Sequence, residues 1–188
     1  MSYKDNKYFK KYCNKHKDVK MSIRNLETFC KEENCKMEIY GSLVRPDFYY
    51  GQSDGDVIIV CNNVEELSSR FSSYIYSHPK MIYKKKKIIY TVDNNNIKNS
   101  CSGRILHTVS INGYNFDISI ICAKEYHGNS DSCIPKHNFI VLFLMSIIKF
   151  FYYKINIMSK DIYYYLKQLL MPSVYEIVRK ESYQNKNV

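Results

Sequence analysis

No C-x-x-C pair occurs among the seven cysteines of this chain, Cys13, Cys30, Cys35, Cys61, Cys101, Cys122 and Cys133. An odd count without that spacing indicates neither a zinc site nor a disulfide framework. Cys61 and Cys122 fall instead in apolar strand patterns, where a thiol serves as a small buried hydrophobe. The set fits a cytoplasmic or otherwise reducing intracellular compartment. The N-terminus carries Lys4, Lys7, Lys10 and Lys11 but no apolar run, so it does not read as a signal peptide. Long hydrophobic runs are lacking too. Phe139 to Ile148 is nearly all apolar, yet it falls well short of the roughly 20 residues a membrane span needs. A buried core helix is expected there. His107, His127 and His137 have no metal-ligand spacing, no Ser/His/Asp or Cys/His arrangement is legible, and neither a repeat nor a linker is evident.

What is present starts with charge. The chain has 188 residues, an apolar fraction of 45% and a formal net charge of +10. That length suits one domain, or one domain with a helical appendage, and that apolar share is enough for a core. The positive balance favours a polyanionic partner such as nucleic acid or a triphosphate. It also serves solubility, and the heavy use of Lys, Asn, Ile and Tyr is what an AT-rich genome gives.

The stretch Ile39 to Val60 organises the rest. Two apolar pieces, Met37–Tyr40 and Val57–Val60, flank a loop carrying Gly41-Ser42 and then Asp54-Gly55-Asp56. A strand ending in Gly-Ser offers backbone N–H groups and a hydroxyl to a phosphate, since glycine permits close approach. Two carboxylates one residue apart at the start of a strand point the same way. Hard cations such as Mg²⁺ take oxygen ligands of this kind and complete their shell with substrate phosphates. The pattern suggests transfer chemistry on a nucleotide. It has a structural rival: Asp-Gly is itself a hairpin signal, and Phe48-Tyr49-Tyr50 would then pair with Val57-Ile58-Ile59. A calcium loop is excluded, because no glutamate stands at the twelfth position.

Downstream, Arg104 to Ile111 and Tyr114 to Cys122 alternate around Asn112-Gly113, the strongest short hairpin signal. The alternation puts Phe116, Ile118 and Ile120 on one face and Asn115, Asp117, Ser119 and Ile121 on the other. Asp117 thus occupies the more polar face of a buried strand, a placement that suits a metal ligand.

An apolar strand, Gly-Ser, a spacer, Asp-x-Asp, a second strand and a later acidic strand together resemble the nucleotidyltransferase superfamily. That superfamily includes the family X DNA polymerases, poly(A) polymerases and small bacterial nucleotidyltransferases. The resemblance covers residues 37 to 122. It implies an α+β fold, a polymerase-β-like mixed sheet with flanking helices, followed by a helical C-terminal subdomain. By resemblance Asp54 and Asp56 bind two Mg²⁺ or Mn²⁺ ions, and Asp117 joins the catalytic one and positions the attacking hydroxyl. Gly41 and Ser42 would hold the terminal phosphates, and Arg45 stands where family X polymerases carry a triphosphate-binding arginine. The implied reaction moves a nucleoside monophosphate from an NTP or dNTP to an acceptor hydroxyl, foremost a nucleic acid 3′ end. The alternatives are a small-molecule or protein acceptor, or an inactive nucleic-acid-binding subunit beside a protein partner or a second copy; no membrane is implied. Three departures stand out: Gly55 replaces the family's apolar or β-branched residue and adds flexibility, Pro46-Asp47-Phe48-Tyr49-Tyr50 stands where relatives often have a short Arg-Gly run, and no Phe-Thr-Gly segment for the nucleotide sugar is found.

The expected layout is a basic helix over 1–20, a catalytic domain over 21–125 and a helical subdomain over 126–188. In the first, Tyr8, Phe9 and Tyr12 share helical spacing among lysines, for a nucleic acid backbone or for docking on the core. Ser22 is a plausible N-cap for a helix with Ile23, Leu26, Phe29 and Cys30, and Asn63 for one with Leu67, Phe71 and Ile75. Met81–Tyr83 and Ile88–Val92 are expected strands around Lys84–Lys87, read as a solvated turn or as a phosphate attractor, before a loop over Asp93–Asn96. Helices are expected over Asn138–Tyr153, Lys160–Met171 and Ser173–Tyr183, with Ser159 and Ser173 as caps. Tyr49 and Tyr50 border the acidic motif, where a base would stack, although 19 tyrosines make chance placement the simpler reading.

Overall fold

Asn6 opens the first helix by accepting the backbone N–H groups of Tyr8 and Phe9 at 2.9 and 3.2 Å. In the computed structural model, which describes residues 3–89, 104–123 and 139–170, the chain divides into two compact units, Met1–Tyr126 and His127–Val188. The first holds α1 (Lys7–Lys15), α2 (Lys17–Glu32), β1 (Lys36–Tyr40), β2 (Gly55–Cys61), α3 (Val64–Ser77), β3 (Met81–Ile89), β4 (Arg104–Ile111) and β5 (Tyr114–Cys122). The five strands form one sheet in the order β1-β2-β5-β4-β3. β2 and β5 run parallel, and every other neighbouring pair is antiparallel. This is an α+β fold with a mixed sheet.

One sheet face carries the core. Val57 and Ile59 of β2 and Phe116, Ile118 and Ile120 of β5 pack with Leu26 and Phe29 of α2 and Phe71 and Ile75 of α3. The opposite face has a small cluster of Ile58, Val60 and Ile121 with Tyr40 beside it. α1 buries Phe9, Tyr12 and Cys13 and leaves Lys7, Lys10 and Lys11 exposed, so its aromatics dock on the core and its lysines are wet.

Several local expectations meet the structure directly. Asn63 caps α3 by accepting the Glu66 N–H at 3.2 Å, and its side-chain amide donates to the Glu66 carboxylate at 3.2 Å. Asn112 and Gly113 adopt φ of +52° and +82° in the β4–β5 turn. Others are corrected. α2 begins at Lys17, not after Ser22, because Val19 already lies on its buried stripe. Ser22 sits fully buried inside the helix, its hydroxyl 2.7 Å from the Ile111 carbonyl at the hairpin end and 2.7 Å from the Asp18 carbonyl. Lys84–Lys87 form no turn: β3 continues through them with a bulge at Lys84, because β4 offers backbone partners on both sides of it and an edge strand tolerates lysine.

The second unit contains α4 (Phe139–Phe150), a π-helical turn over Phe151–Ile155 and α5 (Lys160–Leu170). Asn156 ends the turn at φ +57°, and the Ser159 hydroxyl accepts the Ile162 N–H at 3.3 Å to cap α5. Among the described residues no helix is long and apolar enough to cross a membrane. The loop expected at Asp93–Asn96 and the helix expected over Ser173–Tyr183 lie outside the described residues.

Candidate active site

The single parallel pairing in the sheet sets Asp56 of β2 directly opposite Asp117 of β5. Facing residues on neighbouring strands share a side, so the two carboxylates stand together on the face away from the main core. β2 has β1 and β5 as its neighbours, and residues 48–50 are in no strand, so the rival hairpin around Asp54-Gly55 is not formed. Asp54, just ahead of β2, is exposed, while Asp56 and Asp117 are half-buried. Thr108, opposite Asp117 on β4, donates its hydroxyl to Asp117 Oδ1 at 2.7 Å. One transverse row therefore crosses all five strands: Tyr40, Asp56, Asp117, Thr108, Lys85.

Beyond Asp56 lies the Gly41-Ser42 turn. Gly41 has φ +68°, and a Cβ there would fall 1.9 Å from Asp56 Oδ2, so the carboxylate rests on bare backbone. Ser42 is buried, and its hydroxyl donates to the Asp54 carbonyl at 3.2 Å. The turn thus holds both halves of the Asp-x-Asp motif. Gly55 is not there for flexibility. A Cβ on it would lie 2.5 Å from the ring of Phe116, its partner across the β2–β5 pairing, so an aromatic from the neighbouring strand fills the space a side chain would need.

The intervening loop is fixed from α1 and from within. Asn6 and Tyr12 donate to the carbonyls of Val44 and Arg45 at 3.1 and 2.9 Å. Arg45 forks onto buried Asp47, Nε to Oδ1 at 3.0 Å and Nη2 to Oδ2 at 3.2 Å. Tyr49 and Ser53 close a turn through two bonds, 3.0 and 2.8 Å. The Tyr50 hydroxyl donates to Asp18 at 2.6 Å, and His16 stacks on its ring at 3.9 Å and 4°. One face of that ring is taken within the chain, which leaves Tyr50 a loop anchor more than a platform for a base. Tyr114 donates its hydroxyl to the Ser53 carbonyl. Burial, then the charges of Asp54 and Asp56, push the Tyr114 hydroxyl well above the usual tyrosine range, so it stays protonated beside the acids.

Neither family models nor curated proteins gave a match. The fold overlaps loosely with the crystal structure of small alarmone synthetase 1 from Bacillus subtilis bound to its product pppGpp. The TM-score is 0.33 and the identity 8%, over 97% of this chain and 95% of that one. An overlap that loose identifies neither a shared fold family nor a shared activity.

The donor set can be judged by its chemistry. Among the described residues no three His, Cys, Asp or Glu side chains form a ready metal cluster. What the sheet itself guarantees is the Asp56–Asp117 pair. Two neighbouring carboxylates on one sheet face suit Mg²⁺, which uses one or two carboxylates and takes its remaining oxygens from water and phosphate. Sequence reasoning missed Thr108 and Tyr114. Thr108 was within reach: counting outward from the Asn112-Gly113 turn, Ile111 faces Tyr114 and Thr108 faces Asp117.

Proposed function

We propose that this chain is a nucleotidyltransferase that moves a nucleoside monophosphate from an NTP or dNTP to an acceptor hydroxyl. The observation that carries the reading is the in-register Asp56–Asp117 pair with the Gly41-Ser42 turn closed against Asp56. The acceptor oxygen attacks the α-phosphorus in line, the new P–O bond forms, and the bond to pyrophosphate breaks. The Gly41-Ser42 backbone would bind the departing phosphates, and Arg45 would join them only by exchanging its fork onto Asp47 for a phosphate. Asp117, whose Oδ1 is oriented by Thr108, would position the hydroxyl and accept its proton. Asp56 and Asp117, with Asp54, would hold Mg²⁺ or Mn²⁺; when bound, such ions offset triphosphate charge and lower the pKa of the attacking hydroxyl. A net charge of +10 favours a nucleic acid 3′ end as the acceptor over a small molecule or a protein.

The test is incubation with Mg²⁺ or Mn²⁺, each labelled NTP and dNTP in turn, and single-stranded or gapped acceptors. The wild-type chain should label an acceptor and release pyrophosphate. Asp54→Ala with Asp56→Ala, and separately Asp117→Ala, should lower the rate by at least about a thousandfold with the circular dichroism spectrum unchanged. Full activity in either variant would refute the site.

A further inference from the structure

The four lysines of β3 are not spent evenly along the strand. Between Tyr83, opposite Val109, and Lys85, opposite Thr108, Lys84 is an extra residue in a β-bulge. A bulge breaks the alternation of side chains and re-aims them. Lys84 reaches across β4, and its ammonium donates to Asn115 Oδ1 of β5 at 2.6 Å. Asn115 stands two positions before Asp117 on the same face of β5. Lys85 ends the row that begins at Tyr40 and passes through Asp56, Asp117 and Thr108. Lys86 faces the core side, opposite buried His107. Two neighbouring lysines, where plain alternation would give one, are thus brought to the acidic face.

Lys84 is exposed, bonded to a neutral amide, and has no carboxylate at ion-pair distance among the described residues. A full positive charge held on the same sheet face as the carboxylate pair, two residues along β5 from Asp117 and without meeting an acid, suits an anion supplied by the substrate. The side it occupies says which substrate. The Gly41-Ser42 turn lies beyond Asp56, on the β1 side, whereas Lys84 and Lys85 lie beyond Asp117, on the β3 side. With the triphosphate on the first flank, the acceptor approaches from the second.

We propose that the Lys84 bulge is the acceptor-binding flank and that the acceptor carries a phosphate gripped by Lys84, with Lys85 beside it. The direction of approach rests on the nucleotidyl-transfer reading; the phosphate-binding role of Lys84 is tested without it. The phosphate belongs either to the terminal nucleotides of a nucleic acid strand or to a mononucleotide, and competition separates these sources.

The experiment measures fluorescence anisotropy of a short fluorescein-labelled oligoribonucleotide with the full chain, in chelator and without NTP. Lys84→Ala should weaken binding roughly tenfold and reduce the slope of log affinity against log salt by about 0.7. Lys84→Arg should stay near wild type, as should Lys31→Ala, a change on the exposed end of α2. Adenosine 5′-monophosphate should compete and adenosine should not. Binding of the nucleotide without the oligonucleotide, detected by calorimetry and lost in Lys84→Ala, would assign the mononucleotide source. Equal binding by Lys84→Ala and wild type, or equal competition by adenosine, would overturn the proposal. Lys84-dependent binding in a chain that transfers nothing would support the lysine's role and refute the reaction. In a chain that does transfer, Lys84→Ala should raise KM for the acceptor and not for the NTP; the reverse pattern would overturn the flank assignment and leave the reaction standing.

Discussion

Gly41 is the residue on which the geometry of the acids turns, because its missing side chain is the seat of the Asp56 carboxylate. Gly41→Ala places a methyl where Oδ2 now sits and forces a side chain into positive φ. A stability loss of about 1–2 kcal/mol in urea melts is expected. Transfer should drop at least tenfold, and unchanged rates would mean that Asp56 is seated some other way. A second residue reports on pH. His107 is fully buried, with its ring nitrogens at Ser68 and Tyr83, and burial, then the Lys86 charge, lowers its pKa from 6.5 to about 4. Above pH 6.5 the ring is neutral whether the chain is folded or not, so it adds no pH dependence. Below that, only the unfolded chain takes the proton, and stability falls until the folded ring also protonates near pH 4. The total is roughly 3 kcal/mol. Urea melts between pH 7 and 4.5 should show a shallower acid limb for His107→Gln; identical slopes would remove His107 from the account. At this scale plain alternation disclosed the sheet face on which Asp117 stands. The sequence misled at Gly55, because the Phe116 ring that fills its space comes from a strand far along the chain.

Elements were easiest to read where local chemistry decides them. Asn63 and the Asn112-Gly113 turn carry their own hydrogen-bond and dihedral logic, and both ended up where that logic put them. Ser22 did not, since a serine before an apolar stripe looks like a cap until a hairpin claims its hydroxyl. That hydroxyl lies 2.7 Å from the Ile111 carbonyl and accepts from the Asn112 amide at 3.3 Å, tying α2 to the end of β4. Ser22→Ala should cost about 1–2 kcal/mol, since it leaves a buried carbonyl short of a donor. Hydrogen exchange should show the loss spreading into the β4–β5 turn; faster exchange confined to α2 would contradict the tie. β3 shows the opposite failure. Four successive lysines suggest a solvated turn, yet an edge strand needs no apolar outer face, so pairing with β4 prevailed over composition.

For the whole molecule, the resemblance implied the α+β class, and local patterns gave the order of elements from β1 to β5 except that they split β3 in two around its lysines. Neither gave a spatial strand order, because β2 lies beside β5 only through contacts that span α3, β3 and β4. Folds dominated by such distant pairings form slowly. In refolding from urea, transfer activity should return with the slowest phase; recovery ahead of the completed sheet would show that the acids meet by another route. The same parallel pairing has a bearing on the life of the protein in a cell. On the proposed reading, a nascent polypeptide that stops after β2 holds Asp54 and Asp56 but lacks Asp117 and the strand that carries it, and so cannot yet consume nucleotides. The acidic pair exists only once β5, the strand that closes the circuit, is in place.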